Sequence, residues 1–557
     1  MAEHADRIIT NGRLITFDDS RARAEAIAIR DGRIKAVGSA DDIANLAGPD
    51  TVTHDAAGAT VLPGFIESHA HLFGGAAELD ALNLMHTRGE EALARAVHDY
   101  AATRPGNEMI YATGCHYDVL GPGRSTTRQA LDQVMPDRPF AMMAHDHHTA
   151  WANTRALEAA GILGGGDAGE GSEIAVDTDG LATGELRETG AFEGIIALTA
   201  TGARAMLGYV TGEDPSPAAT LAERKTDKDI IARGLLHCAA SGITSIHNMD
   251  GNFYQLELLD ELKADGRLLC RTQVPFHLKR HHSLDKLDEA AEMRRRYNDD
   301  MVWSGRVKMF MDGVIDSRTA FMLRDYPDDP GNTGSPLFSA AHFNEASIRS
   351  DANGLQISVH AIGDAAIRRT LDGYEAAREA NGVRDSRHRI EHVEVLHPDD
   401  LPRLSSLGVV ASMQPLHSPN GGFFPAPPPG RILREDQLAL AFAWQTIRET
   451  GATLIFSTDW PVVPVEVMPS IRAACVRREL GRSWTDQHQS LDNALAAYTR
   501  DAAFAEFNEK QKGRLKAGML ADIVVMSDDL HAMRVENLDR ASAALTLCGG
   551  HITHQTA

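Results

Sequence analysis

Cysteine is scarce in this sequence, and its spacing is not that of a functional cluster. The 557 residues include five cysteines, which are far apart and never form a CxxC pair: Cys115, Cys238, Cys270, Cys475 and Cys548. An odd and scattered set argues against a disulfide framework, a thiolate metal site or a redox motif. We therefore expect free thiols in a reducing cytoplasm.

Long apolar runs and an excess of basic residues are missing as well. No stretch approaches the roughly 18 uninterrupted apolar residues of a spanning helix, and Met1–Arg7 is not a basic start followed by an apolar segment. The 55 basic residues are outnumbered by 78 acidic ones, so the net charge is -23. This charge disfavours nucleic acid and anionic membranes. The sequence predicts a cytoplasmic protein whose partner is a small molecule.

The two ends of the chain share one sequence pattern, that of short strands joined by turns. Residues 1–60 read as short strands joined by turns, such as Asn11-Gly12, which indicates a small antiparallel sheet. Residues 513–557 resume this pattern, for example in Leu520–Met526. Because each end alone would be marginal, we expect both ends to build one composite β-sandwich domain.

Residues 61–512 have a different texture, in which apolar strands alternate with helix-length segments. This pattern is typical of an α/β fold with parallel strands, and eight units predict a (β/α)8 TIM-like barrel. The gap after the first strand, about 75–235, is too long for an ordinary loop and predicts an inserted subdomain. The eight predicted strands are Val61–Ile66, Ile243–His247, Thr272–Phe276, Val307–Met311, Gln356–Val359, Arg389–His392, Val409–Met413 and Leu454–Ser457.

Metal-competent side chains recur at the predicted strands. His69 and His71 follow the first strand at positions i and i+2, so both imidazoles face one point. Each such residue alone has an ordinary explanation, such as a core histidine, a helix cap or an ion pair. Their shared place at the carboxyl end of one barrel favours a common metal centre. The residues are His69, His71, Lys308, His360, His392 and Asp459.

Several segments resemble the amidohydrolase superfamily, in the amidohydrolase-3 branch of metal-dependent hydrolases that includes N-substituted formamide deformylases. They extend from the first strand to the terminal sheet. The segments are Pro63–His71, Asp146–Asn153, Thr183–Glu188, Lys308–Gly313, Ser317–Thr319, His360–Asp364, Glu391–Glu394, Ser457–Pro461 and Gly513–Asp522.

The resemblance implies a set of metal ligands. Two histidines of the first strand and the aspartate of the eighth hold one ion, and the histidines of the fifth and sixth strands hold a second. Lys308 matches the position of a carboxylated lysine that bridges both ions; alternatively it stays an amine near the substrate, and one metal is strongly bound. Imidazoles and few carboxylates suit zinc best, with iron, nickel, cobalt or manganese also compatible. Relatives suggest a homodimer.

The implied chemistry is hydrolysis of a carbon–nitrogen amide bond by metal-activated hydroxide, with an N-substituted formamide or another N-acyl amine as substrate. Asp459 is the candidate general base. One alternative is a deaminase of a ring amino group, although Lys308 and the absence of an HxxE pattern after His360 count against it. A second alternative is a metal-binding regulatory protein without turnover.

The insert supplies further candidates around His145-Asp-His-His148. His148 and His145 could stabilise the oxyanion and contact the substrate, with Trp151 as an aromatic wall. An equally supported interpretation is a polar loop closed by one packed tryptophan.

Two candidates for substrate binding lie in the barrel segment. Arg318 could contact a polar group of the substrate, or it could pair with Asp312 or Asp316. Phe423, together with Phe424, predicts an apolar part of the pocket.

Overall fold

The computed structural model describes residues 4–104, 106, 108–145, 147–169, 172–419, 421–423, 432–477 and 480–556. Contacts between Cα atoms divide the chain into two units: Met1–Leu72 with Leu235–Ala557, and Phe73–Gly234. The second unit covers nearly the span that the sequence suggested for an insert. The division of the chain into folding domains stays a prediction.

Parallel strands dominate the first unit, as the apolar runs predicted, because strands buried on both faces are apolar throughout. One parallel sheet contains Phe65–Ala70, Ile243–Asn248, Arg271–Gln273 and Val302–Trp303. A second contains Phe276–His277, Arg306–Phe310, Gln356–Ala361, Arg389–His392, Val410–Met413 and Thr453–Phe456.

Two features relate these sheets to one another. The third predicted strand is divided between them, and the break falls at Val274-Pro275, where proline offers no amide hydrogen. An isolated parallel bridge joins Ala70, at the end of the first strand, to Trp460, which follows the last. The α/β class with parallel strands agrees with the sequence prediction.

The first predicted strand, Val61–Ile66, was placed wrongly. Thr60–Pro63 belongs to the terminal sheet, and the parallel strand is Phe65–Ala70. Gly64 lies between them, and a Cβ atom there would come within 2.4 Å of the Thr244 hydroxyl on the neighbouring strand. The chain therefore changes sheets at a residue without a side chain, and His69 falls inside the strand.

Both chain ends contribute to the terminal sheets. A four-stranded sheet contains Arg33–Gly38, Ala26–Arg30, Arg7–Thr10 and Val52–Asp55. A six-stranded sheet contains His551–Gln555, Ala543–Cys548, Ile523–Met526, Thr60–Pro63, Arg13–Ile15 and Arg23–Ala24. Strands at the two chain ends pair directly, Ile523–Met526 antiparallel to Thr60–Pro63.

The N-terminal strands are not purely antiparallel, contrary to expectation. Arg7–Thr10 pairs in parallel with Val52–Asp55, and Arg13–Ile15 with Thr60–Pro63. One hydrophobic cluster draws on both terminal sheets, with Ile9, Ile27 and Ile29 from one and Leu14, Val61, Ile523 and Leu547 from the other.

The helices of the first unit lie mainly between its parallel strands. They are Ala40–Ala44, Phe253–Ala264, Leu287–Arg296, Ala340–Ala352, Asp364–Asn381, Leu401–Ser406, Glu435–Leu438, Trp444–Glu449, Val467–Val476, Leu491–Ala497 and Arg500–Ala505, with short 3-10 turns at Leu284–Lys286, Pro415–His417 and Val535–Arg540. In the described part of the chain, no helix has the length and apolarity needed to cross a membrane.

The second unit is built on a mixed six-stranded sheet. In sheet order its strands are Glu173–Val176, Ala182–Arg187, Thr149–Ala152, Phe140–Ala144, Ile110–Cys115 and Leu82–Asn83. Its helices are Glu90–Ala102, Arg128–Val134, Thr154–Ala159, Thr189–Ile196 and Arg204–Val210. The helices Leu72–Glu78 and Leu221–Ala240 each include the boundary between the units.

Candidate metal centre

Two histidines and one aspartate converge where the first and last parallel strands end. The Nε2 atoms of His69 and His71 lie 3.3 and 3.2 Å from Oδ1 of Asp459. The backbone N–H of Asp459 donates to the carbonyl of His69 over 2.9 Å, which fixes the two strand ends together. The structure thus brings His69 and His71, at the end of the first parallel strand, next to Asp459, which follows the last parallel strand.

Two carboxylates orient the imidazoles. Nδ1 of His69 lies 2.8 Å from Oε2 of Glu391, and Nδ1 of His71 lies 2.6 Å from Oδ1 of Asp250. An ionised carboxylate only accepts hydrogen bonds, so both Nδ1 atoms carry hydrogen and both Nε2 atoms face Asp459. Carboxylate–histidine pairs of this kind are the usual support of metal ligands.

The charges at this point fit a cation. Burial lowers the pKa of His69 to about 4, so its Nε2 is a lone pair directed at Asp459. Burial alone would raise the pKa of Asp459, but the hydrogen bond and the positive charge of His71 outweigh burial and hold that pKa well below its usual range. In the metal-free site, Nε2 of the protonated His71 faces Oδ1 of Asp459 over 3.2 Å, so a proton occupies the position that a cation would take. Two imidazoles and a carboxylate without any thiolate are a donor set that suits zinc.

The histidines of the fifth and sixth strands form a second pair beside the first. The ring centroids of His360 and His392 are 4.5 Å apart, and His392 lies 5.0 Å from His69. Nε2 of His360 donates to the carbonyl of Gly313 over 3.1 Å, which leaves Nδ1 as the lone pair. His360 and His392 therefore belong to the same cluster of side chains as His69, His71 and Asp459.

Gln414 sets the orientation of His392. Its amide nitrogen donates to Oγ of Ser457 over 2.8 Å, so its oxygen faces Nδ1 of His392 at 2.8 Å. His392 therefore presents the lone pair of Nε2.

Backbone strain is concentrated at the same strand ends. His392 and Asp459 adopt positive φ angles of 78° and 63°, in the region that disfavours residues with a side chain. Strained conformations of this kind cost on the order of 1–3 kcal/mol each and persist where surrounding contacts fix them, often at functional sites.

Lys308 lies in the middle of Arg306–Phe310 rather than at the start of a strand. It is fully buried, and its Nζ has no hydrogen-bond partner among the described residues. Burial lowers its pKa to about 8, so a substantial fraction is a neutral amine near that pH. Its Nζ lies 4.7 Å from the ring centroid of Phe310, whose ring stacks on His360. Lys308 thus belongs to the same cluster as the histidines.

Five residues of this region were not among the predicted site residues: Asp250, Glu391, Glu394, Gln414 and His417. Asp250 follows the second parallel strand, Ile243–Asn248, and His417 follows the seventh, Val410–Met413. A polar residue at each of these strand ends was the signal by which the sequence could have indicated them. His392, Glu394 and His417 are close enough to hold a cation. Nε2 of His417 lies 3.9 Å from Oδ2 of Asp459, the oxygen opposite the one that faces His69 and His71.

Arg318 forms an ion pair, but with a partner that the sequence analysis did not consider. Its Nη2 lies 2.5 Å from Oδ2 of Asp328, and it donates to the backbone carbonyl of Asp316. Asp312 instead accepts backbone hydrogen bonds, including that of Gly363 at 2.9 Å. Arg318 thus forms its close ion pair with Asp328, while Asp316 contributes to its electrostatic environment. Contact of Arg318 with a substrate stays a prediction.

Phe423 is half-buried against an apolar cluster that includes Leu416, Val463 and Ala473. This packing is compatible with an apolar wall, although its contact with a substrate stays a prediction. Phe424 lies outside the described residues.

The insert's candidates make contacts inside the second unit. The His145 ring stacks on His116 at 4.8 Å, and Nδ1 of His148 lies 3.1 Å from Glu188. Trp151 is 3% exposed and packs in a hydrophobic core of this unit, which favours the packed-tryptophan interpretation over an aromatic substrate wall. Roles of His145 and His148 toward a substrate stay predictions, and Asp146 lies outside the described residues.

Comparison with known proteins decides the family. The sequence profile of the Amidohydrolase family matches residues 52–554. The chain belongs to the amidohydrolase family. This result confirms the predicted family and the prediction of a hydrolase.

Similar proteins cover nearly the whole chain. The chain is 28% identical over 538 residues to Protein LONG AFTER FAR-RED 3 of Arabidopsis thaliana, covering 94% of this chain and 87% of that protein. It is 25% identical over 552 residues to N-substituted formamide deformylase of Arthrobacter pascens, covering 95% and 94%. Among solved structures, an uncharacterized metal-dependent hydrolase from Pyrococcus horikoshii OT3 has a TM-score of 0.74 at 24% identity, covering 95% and 99%.

Proposed function

We propose that this protein hydrolyses the carbon–nitrogen bond of an N-acyl amine, beginning with N-substituted formamides, with the help of a divalent metal. The observation that carries the proposal is the convergence of the Nε2 atoms of His69 and His71 on Oδ1 of Asp459. Support for the substrate class comes from similarity to a protein named N-substituted formamide deformylase, which spans 95% of this chain.

His69, His71 and Asp459 would hold the first ion, with zinc as the expected metal because imidazole and carboxylate donors suit it. His360 and His392 would hold a second. Lys308 would bridge the two as a carbamate, which forms when its neutral amine adds to carbon dioxide and loses one proton to water; its lowered pKa favours the neutral amine that this step needs.

A divalent cation, when bound here, would polarise the amide carbonyl and make water a stronger acid. Asp459 would accept the proton of the attacking water and return it to the departing nitrogen. Its ionised state and its place between His71 and His417 suit this role. His360 and His392, oriented by Gly313 and Gln414, present lone pairs, so the ion that they would hold, rather than the rings themselves, would stabilise the negative charge on the carbonyl oxygen.

The finer architecture is proposed on the same basis. The parallel bridge between Ala70 and Trp460 supports closure of the parallel strands into a (β/α)8 barrel. The hydrophobic cluster shared by both terminal sheets supports their packing as a β-sandwich.

The test begins with the metal content of the purified protein, followed by a screen of N-alkyl and N-aryl formamides, longer N-acyl amines and nucleobases. We expect formate or another carboxylic acid to be released from amides. Ammonia release from nucleobases alone would favour a deaminase, and binding without turnover of any compound would favour a regulatory protein.

Asp459→Asn tests the proton transfer. We expect turnover to fall by about 10²- to 10⁴-fold while the fold is retained. Asp288→Asn is the matched control, because this aspartate is exposed in the first turn of Leu287–Arg296. Near-normal turnover of the Asp459 variant with its full metal content would refute the assignment.

A further inference from the structure

A second group of metal-competent side chains lies beside the proposed ligands. His392, Glu394 and His417 each offer one donor atom, and these atoms all lie within 4.8 Å of one another. Two imidazoles and one carboxylate repeat the donor types of the first site, a combination that zinc favours. Only His392 is a ligand in the two-ion centre proposed above, whereas Glu394 and His417 are not.

The backbone fixes the positions of these three residues. His392 and Val393 have positive φ angles of 78° and 48°, so the chain turns sharply where its strand ends. The N–H of Phe442 donates to the carbonyl of Glu394 over 2.8 Å and holds this turn. His417 ends a 3-10 turn. The three side chains are therefore presented by ordered segments.

The histidine rings are arranged so that each can direct a lone pair toward an ion beside Glu394. His392 presents Nε2, as shown above. Nδ1 of His417 lies 3.9 Å from Oε1 of Glu394, and Nε2 of His417 lies 3.9 Å from Oδ2 of Asp459. With its hydrogen on Nε2, toward Asp459, His417 presents the lone pair of Nδ1.

The spacing of the donor atoms is slightly wider than an occupied site requires. Bonds of about 2.0–2.2 Å place the donor atoms of a tetrahedral zinc site about 3.3–3.5 Å apart. The rings of His392 and His417 are nearly parallel, at 10°, with centroids 6.0 Å apart. Small rotations of the side chains would therefore close the site around an ion.

Glu394 can be reached by a cation. The side chains of Glu394 and His417 are 12% and 10% exposed, so an ion does not have to cross the core to reach them. No lysine or arginine among the described residues forms an ion pair with Glu394. Its carboxylate is thus not already neutralised by a permanent positive charge.

The state of Lys308 decides between two positions for the second ion. A carbamate on Lys308 would add an oxygen donor to His360 and His392. An amine leaves that position with two imidazoles, whereas the group of Glu394, His417 and His392 offers three donors, one of them negatively charged. Because Nε2 of His392 has a single lone pair, it binds one ion at a time, and the two positions exclude each other.

We propose that His392, Glu394 and His417 hold the second divalent cation whenever Lys308 is not carboxylated. Carboxylation of Lys308 then favours the position beside His360 instead. The inference rests on the proposed two-ion centre, whose second ion it relocates, and it does not depend on the substrate or on proton transfer by Asp459.

The direct test is anomalous diffraction at the zinc edge from crystals of Lys308→Met loaded with excess zinc, because this variant cannot form the carbamate. We expect one peak among His69, His71 and Asp459, and a second within about 2.0–2.2 Å of a carboxylate oxygen of Glu394. The unmodified protein crystallised without carbon dioxide should show the same second peak, and it replaces the variant if Lys308→Met fails to fold.

The solution test measures the affinity of the second zinc ion by chelator competition in the Lys308→Met protein. Adding Glu394→Gln should weaken this ion at least about 10- to 100-fold, since loss of a ligand costs no less than loss of a group that supports one. The affinity of the first ion should change little. Glu379→Gln, on the exposed face of Asp364–Asn381, is the matched control and should alter neither ion.

An intact Lys308 supplies a further control. In the protein supplied with bicarbonate, Glu394→Gln should leave the second ion nearly unchanged, because the carbamate position then holds it. A merely structural role of Glu394 would weaken the ion in both backgrounds.

Three results would overturn the inference: a second peak in Lys308→Met that lies at His360 and away from Glu394, a filled first site without any second peak, or equal effects of Glu394→Gln and Glu379→Gln. An empty first site, or two bound ions without hydrolysis of any amide, would instead count against the proposed function. The peak at Glu394 would still decide the present inference in that case.

Discussion

Metal binding at the first site should release one proton, and almost all of it should come from His71. Burial alone would lower the pKa of His71, but the carboxylates of Asp250 and Asp459 outweigh burial and raise it to about 10. Burial lowers the pKa of His69 to about 4, and Asp459 stays ionised. Near neutral pH the metal-free site therefore holds one extra proton, on His71.

The direction and the size of the pH dependence of metal affinity follow from the linkage between metal binding and proton release. Because its pKa is raised, His71 keeps its proton at every pH below about 10. A metal ion binds only the lone pair that remains when this proton leaves. Affinity should therefore rise about tenfold for each pH unit, which is about 1.36 kcal/mol, between about pH 5 and pH 6.5. The range stays below about pH 7, where water bound to zinc begins to lose its own proton.

Calorimetric titration of the metal-free protein in buffers of different ionisation enthalpy measures the number of protons released. We expect about one for the first ion. Asp250→Asn should release clearly less than one, because it removes the main cause of the raised pKa. Asp288→Asn should release the same number as the unmodified protein. A pH-independent affinity, or full proton release by the Asp250 variant, would refute this electrostatic reasoning.

Three further predictions concern other parts of the site and its support. Gly64→Ala should lower the free energy of unfolding by about 1–3 kcal/mol, because the added methyl group would overpack against Thr244. Gly164→Ala, with open space around it, should change this free energy little. Denaturant unfolding compares the two variants, and equal values would contradict the close approach of Gly64 to Thr244. Gln414→Leu should weaken the second ion about 10- to 100-fold by freeing His392, as measured by chelator competition, with unchanged affinity as the contrary result. Protein supplied with ¹³C-bicarbonate should show a carbamate NMR signal that Lys308→Met lacks, and absence of this signal from the unmodified protein would exclude the bridging lysine.

Local sequence information was enough to pick out most of the proposed ligands, because each follows or lies within an apolar strand. His360 and His392 are in strands that the sequence predicted almost to the residue, Gln356–Ala361 and Arg389–His392. The first strand was misplaced because the apolar run continues through Gly64, and hydrophobicity does not distinguish two sheets that both bury it. The deciding fact is a close approach of Thr244, which is distant in sequence.

Partners of the ligands were beyond the reach of sequence reasoning. His71 and Asp250 are 179 positions apart, and His69 and Glu391 are 322 apart. An ion pair was one of two interpretations of Arg318, but its partner, Asp328, was not among the acids considered. Side-chain pairs of this kind arise from the fold, so only coordinates or covariation between positions could identify them.

The orientation of His69 depends on a chain of buried polar groups that extends well below the metal site. Glu391, which accepts from His69, also accepts from Ser358 over 2.5 Å and pairs with Arg389, whose Nη1 lies 2.9 Å from Nδ1 of His247. Because these groups polarise one another in a medium of low dielectric constant, loss of one leaves its neighbours buried and unpaired. Substitutions far from the metal can therefore alter its affinity through the tautomer of His69. The buried network of Glu391, Ser358, Arg389 and His247 is thus part of the candidate metal centre in energetic terms, although only His69 among these groups is a proposed ligand.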